Sequence, residues 1–104
     1  MNRKEHLLTI AAEECNEIAQ RISKALRFGL QEVQPGQLLT NQERIRREML
    51  DLDAMVLMLN REGINLLTSG MSGGFPDADL VAEKMEKVEK FLRLSAAQGT
   101  LSEK

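Results

Sequence analysis

The sequence predicts an all-α fold: an antiparallel helical bundle of three long helices, with room for a short fourth, completed by dimerisation. Three observations predict it. Apolar residues recur at alternating steps of three and four in three separate segments. Two of those segments open on residues that cap helices. No stretch shows the period of two that a half-buried strand requires. The length of 104 residues is one domain's worth. Residues 1–98 are expected to form a single helical domain and 99–104 a C-terminal tail.

The first helix is expected over about Arg3 to Arg27. Leu8, Ala11, Cys15, Ile18, Ile22 and Ala25 make its apolar stripe. Asn2 followed by Glu5 is a capping start, and Gly29 supplies the stop. Leu30 to Leu39 contains Pro35-Gly36, has no period and reads as a loop. Thr40-Asn41-Gln42-Glu43 is a capping box that opens a second helix, ending before Gly63. Its stripe is Ile45, Met49, Leu52, Val56 and Leu59. From Met49 onward it is apolar nearly all round, so a partner chain is expected to cover it. Ile64 to Leu67 is long enough for one helical turn. Ser69 to Gly74 reads as a flexible break. Pro76-Asp77 begins a third helix with Val81, Met85, Val88 and Leu92 as its stripe.

Composition removes several functions. Fourteen Lys plus Arg against 16 Asp plus Glu leave a net charge of −2, so no basic face for nucleic acid is implied. Three Phe with no Trp or Tyr make a poor base-stacking platform. The longest apolar run, Ala54 to Leu59, is far too short to span a membrane, and nothing near Met1 resembles a secretory signal, so a cytoplasmic protein is expected. Single Cys15 and His6 exclude disulfide frameworks, cysteine zinc sites and the Glu-x-x-His pairs of ferritin-like di-iron centres. Cys15 lies on the apolar stripe and is expected in the core.

What remains is carboxylate chemistry. Acidic residues three apart occur on all three helices: Glu14/Glu17, Glu48/Asp51 and Glu83/Glu86/Glu89. Glu83 and Glu86 lie roughly 130–170° from their apolar stripe, with Lys87, Lys90 and Arg93 four residues after the three acids, so they are expected on a solvated, ion-paired face. The other pairs sit closer to packing. Glu14 is about 70° and Glu17 about 130° from the stripe centre, and Glu48 about 60° and Asp51 about 120° in the same rotational sense. In an antiparallel hairpin, equal sense puts both pairs on one side of the interface, and their heights differ by roughly 4.5 Å at 1.5 Å per residue. Four converging carboxylates suit Mg²⁺ or Mn²⁺. The competing explanation is surface pairing of Glu17 with Arg21, Glu48 with Arg44 and Asp51 with Arg47, all four residues apart.

Glu13-Glu14-Cys15-Asn16-Glu17 followed by Glu48-Met49-Leu50-Asp51 resembles the EExxE…ExxD signature of the MazG-like all-α nucleotide pyrophosphohydrolases. The flanking words Leu8 to Glu14, Ser23 to Gly29 and Lys90 to Arg93 are similar to phage and bacterial members. Thirty residues separate Glu17 from Glu48, slightly more than the family usually shows, and the added length falls in the Pro35-Gly36 loop. The resemblance implies Mg²⁺-dependent hydrolysis of a nucleoside triphosphate, such as the deoxypurine dGTP, to the monophosphate and pyrophosphate. It implies Glu14, Glu17, Glu48 and Asp51 as metal ligands, with Glu13 or Glu14 as the catalytic carboxylate that takes the water's proton. Lys24, Arg27, Lys87 and Lys90 are candidate phosphate contacts. A homodimer or dimer of dimers is expected, with no nucleic-acid or membrane partner. The alternative is a non-catalytic dimeric helical module that binds another protein.

Overall fold

A computed structural model describes residues 1–68 and 77–102. It holds three helices, α1 (Arg3–Phe28), α2 (Asn41–Arg61) and α3 (Ala78–Ala97), and no strand among the described residues. The chain divides into two compact units, Met1–Leu67 with α1 and α2, and Thr68–Lys104 with α3.

Both sequence-encoded caps form. The Asn2 side chain accepts from the Glu5 N–H at 2.8 Å, and the Asn2 N–H donates back to Glu5 Oε1 at 3.3 Å. At α2 the Glu43 N–H donates to Thr40 Oγ1 at 3.1 Å and the Thr40 N–H to Glu43 Oε1 at 3.0 Å. These bonds satisfy donors that a helix start leaves without partners. The Thr40 backbone N–H and then its hydroxyl hold the Glu43 carboxyl below its ordinary pKa.

α2 closes through Gly63, whose φ of 89° is costly for any residue with a Cβ. The Ile64 N–H reaches Leu59 O at 2.9 Å and the Gly63 N–H reaches Asn60 O at 3.1 Å, the paired bonds of a Schellman closure. Ile64 then packs on the core cluster of Leu7, Met55 and Leu59. The helical turn expected at Ile64 to Leu67 is absent. The Schellman closure turns the chain away from the helix axis, and Ile64 is used to seal the core. The expected break at Ser69 to Gly74 and the Pro76 start lie outside the described residues.

α1 and α2 form an antiparallel hairpin. Arg3 Nε donates to Glu62 Oε1 at 2.7 Å, Leu7 packs against Met55 and Leu59, and Arg21 Nε stands 3.7 Å from Glu48 Oε1. Partners thus descend along α2 as they ascend along α1. The least exposed residues of α1 are Leu7, Ala11, Glu14, Glu17, Ile18, Arg21 and Ala25, and those of α2 include Asn41, Ile45, Glu48, Leu52, Met55 and Leu59. Without Glu17, each series steps by four and three, the spacing of an interhelical seam.

This seam differs from the apolar stripe. Leu7, Glu14 and Arg21 replace Leu8, Cys15 and Ile22 on α1, while Glu48 and Met55 replace Met49 and Val56 on α2. Both helices are therefore rotated by about 50° from their apolar axes. Cys15, expected in the core, is exposed, and so are Leu8, Ile22 and Met49. The physical reason is width. Each apolar stripe is broader than one facing helix can cover, and the hairpin buries only one flank of it. On α3 no residue is buried, so its stripe of Val81, Met85, Val88 and Leu92 is exposed too.

Candidate functional site

The rotation of α1 and α2 moves acidic residues from the edge of the seam towards its middle. Apolar residues lie at both ends: Leu7, Met55 and Leu59 at one, Ala25 and Ile45 at the other. Between them come Glu14 from α1 and Glu48 from α2, both half-buried, with exposed Asp51 one turn further along α2. One carboxylate oxygen from each of the three lies within 4.8 Å of the others. A hairpin that needed only stability would place apolar side chains here, since partly buried charges lose hydration.

Electrostatics single out Glu14. Its pKa is raised above the ordinary carboxylate value, first by partial burial and then by the charges of Asp51, Glu48, Glu17 and Glu13. Five carboxylates thus act at one place, on residues that local sequence had set on two helices. The cation nearest to them is Arg21, whose side chain is 21% exposed. Its Nε is buried without a hydrogen-bond partner, and at 3.7 Å from Glu48 it neutralises charge without bonding to it. None of the three pairs of the competing explanation (Glu17–Arg21, Arg44–Glu48, Arg47–Asp51) closes to ion-pair distance. The pair that does form near the site crosses the seam.

Glu14, Glu48 and Asp51 offer the oxygen donors that could hold a hard divalent cation. Oxygens on one Mg²⁺ ion, bound at about 2.0–2.1 Å, stand at most about 4.2 Å apart, against the 4.8 Å within which these three lie. No family model, curated protein or solved structure matches the chain.

The other candidate residues are distributed as follows. Glu17 is half-buried and acts electrostatically on Glu14, yet it is not one of the three whose oxygens converge. Glu13 is exposed and also contributes to Glu14's shift. Lys24 and Arg27 are exposed on the last turns of α1, and the Arg27 guanidinium lies 5.3 Å from the centroid of the Phe28 ring. Lys87 and Lys90 belong to the second unit, where they border a shallow groove with Phe91, Arg93 and Leu94. On α3 the expected pairs of Glu83, Glu86 and Glu89 with Lys87, Lys90 and Arg93 do not close to ion-pair distance among the described residues; such exposed pairs gain little over free side chains. His6 is exposed.

Sequence reasoning missed a basic cavity, wide open to solvent, beside the carboxylates. Arg21, Arg44 and Arg47 border about 370 Å³ of space together with Gln37, Leu39 and Glu48. The signal was present in the three arginines that flank the acidic motifs, for which local spacing offered ion pairs as the competing explanation. Only the loop shows otherwise. Gln34-Pro35-Gly36-Gln37 is a tight turn closed by Gln37 N–H to Gln34 O at 3.0 Å, with Gly36 at φ 80°. Pro second and a positive-φ glycine third is the pattern a type II turn demands. This turn carries Gln37 and Leu39 to the cavity wall.

Proposed function

We propose that this protein is a divalent-metal-dependent nucleoside triphosphate pyrophosphohydrolase. The observation that carries the proposal is the convergence of Glu14, Glu48 and Asp51 within 4.8 Å beside a helix seam. The MazG-like resemblance of the same residues agrees with it. In the reaction, water adds to phosphorus at the α–β anhydride, that P–O bond breaks, and the products are a nucleoside monophosphate and pyrophosphate. Glu14, Glu48 and Asp51, with Glu17 at their side, would hold Mg²⁺ or Mn²⁺. A bound ion supplies charge for seating the triphosphate and acidity for the attacking water. Glu13 or Glu14 would accept the water's proton. Lys24 follows Arg21 by three residues and adds positive charge on that side of α1.

A homodimer accompanies this proposal. Leu8, Ile22 and Leu26 on α1 and Met49, Leu50 and Leu57 on α2 are large apolar side chains left exposed. A second copy supplies the surface that a hairpin lacks.

Pyrophosphate release from the common NTPs and dNTPs tests the activity. At least one is hydrolysed with Mg²⁺, and EDTA abolishes the reaction. If none yields pyrophosphate with Mg²⁺ or Mn²⁺, the proposal fails, and the non-catalytic helical module becomes the better explanation.

A further inference from the structure

We infer that the arginine cavity beside the carboxylates binds the terminal phosphates of the substrate, so that it acts as a pyrophosphate subsite. Only the identity of the ligand rests on the pyrophosphohydrolase proposal; the cavity itself rests on geometry.

Arg21, Arg44, Arg47 and Glu48 border an open space of about 370 Å³. That volume lies within the range of small-molecule pockets, about 300–1,000 Å³. Arg44 and Arg47 stand one turn apart on α2 and form no ion pair among the described residues, although Glu48 and Asp51 are available four residues on. Arg21 arrives from α1, and its Nε is buried without a hydrogen-bond partner. Like charges converging on one space repel unless an anion sits between them. Arginine forks match phosphate oxygens two at a time, and the Gln37 amide adds another donor. The chain elsewhere is net acidic, so this concentration of cations is local.

Position gives the cavity its meaning. Glu48 belongs both to its wall and to the carboxylate cluster. A phosphate chain with its end among the arginines therefore continues directly to the carboxylates. The β- and γ-phosphates, which leave as pyrophosphate, occupy the basic side, and the anhydride to be broken lies at the acidic side. The basic contacts are thus Arg21, Arg44 and Arg47, in place of Lys24 and Arg27, neither of which borders the cavity.

Calorimetric titration with inorganic pyrophosphate in EDTA tests this on the full chain. Wild type binds it. Arg44→Gln/Arg47→Gln weakens binding at least tenfold with an unchanged melting temperature, and Arg44→Lys/Arg47→Lys, which keeps charge but loses the forks, falls between. Glu14→Gln binds pyrophosphate at least as well as wild type. With an active enzyme, the double Gln variant raises KM for the triphosphate about tenfold and leaves product inhibition by the monophosphate unchanged. Equal pyrophosphate binding by wild type and the folded double variant overturns the inference, as does no binding by wild type at millimolar pyrophosphate. Tighter binding of a single-stranded oligonucleotide than of pyrophosphate overturns it too. If no triphosphate is hydrolysed but arginine-dependent pyrophosphate binding persists, the subsite stands and the enzymatic proposal falls.

Discussion

The side-chain amide of Asn41 donates to the main-chain carbonyl of Gly29 at 2.8 Å, joining the first residue of α2 to the residue that ends α1. Asn41 is 3% exposed, the only buried polar residue among the described ones. Its own N–H donates to Glu32 O, and the Gln42 N–H donates to Leu30 O. These bonds tie both ends of the loop together and so set how far α2 is shifted along α1. That shift decides which α2 residues stand opposite Glu14.

Asn41→Ala should therefore destabilise the hairpin by about 1–3 kcal/mol, because Gly29 O loses a buried donor. Asn41→Asp should do no better, since a carboxylate cannot donate to a carbonyl. Denaturant melts of both variants check this; wild-type stability in either would show that the loop does not hold the register.

The rotated seam makes a paired prediction. Leu59 has no exposed surface, and Leu59→Ala should cost about 2–5 kcal/mol. Cys15→Ser should change stability by less than about 0.5 kcal/mol, because the thiol is exposed. If the serine variant is as damaging as the alanine variant, then Cys15 faces the core after all.

Glu14→Gln should raise the melting temperature of the metal-free protein at pH 7. The sign follows from the raised pKa. In the fold Glu14 holds its proton to a higher pH than in the unfolded chain, so its favourable contribution is present below the ordinary carboxylate range and is lost as pH rises through the raised value. The advantage of the Gln variant should vanish on acidification below that range. Millimolar Mg²⁺ should raise the wild-type melting temperature by mass action and leave the variant's nearly unmoved. A wild-type melt that neither EDTA nor Mg²⁺ shifts would argue against a cation at these carboxylates.

Turnover should separate the acidic residues by position. Glu14→Gln and Glu48→Gln each lose a ligand charge and should fall at least about a hundredfold in kcat. Glu83→Gln and Glu86→Gln, on exposed positions of α3, should stay within a few-fold of wild type. Steady-state pyrophosphate assays compare them. A Glu83 variant as slow as the Glu14 variant would mean that the seam is not the site.

Light scattering should report a mass of at least twice the 11.7 kDa chain. Ile22→Glu and Met49→Glu place charge on the uncovered apolar flank of the hairpin and should shift the mass towards the monomer while the helical signal persists. A monomeric wild type at micromolar concentration would sink the dimer.

Sequence alone determined the local features: the spans of α1 and α2, the Asn2–Glu5 and Thr40–Glu43 boxes, the stop at Gly63 and the absence of strands among the described residues. Each depends on residues within a turn or two of one another, where propensity and capping chemistry decide. The convergence of Glu14 with Glu48 and Asp51 was also legible, because rotational sense and axial height follow from helix geometry. Tertiary structure alone decided which flank of each apolar stripe is used. Leu8, Cys15 and Ile22 are as apolar as the seam requires, but two helices share only one line of contact, and the connection pinned by Asn41 and Gly29 selects it. That choice took Glu14 and Glu48 into the seam, excluded Glu17 from the converging oxygens, and brought Arg21 across to Glu48. It also opened the arginine cavity, because Arg44 and Arg47 meet Arg21 and Gln37 only when two helices and a loop are placed together. Periodicity within one helix carries no information about such a meeting, since its residues are distant in sequence and joined only by packing.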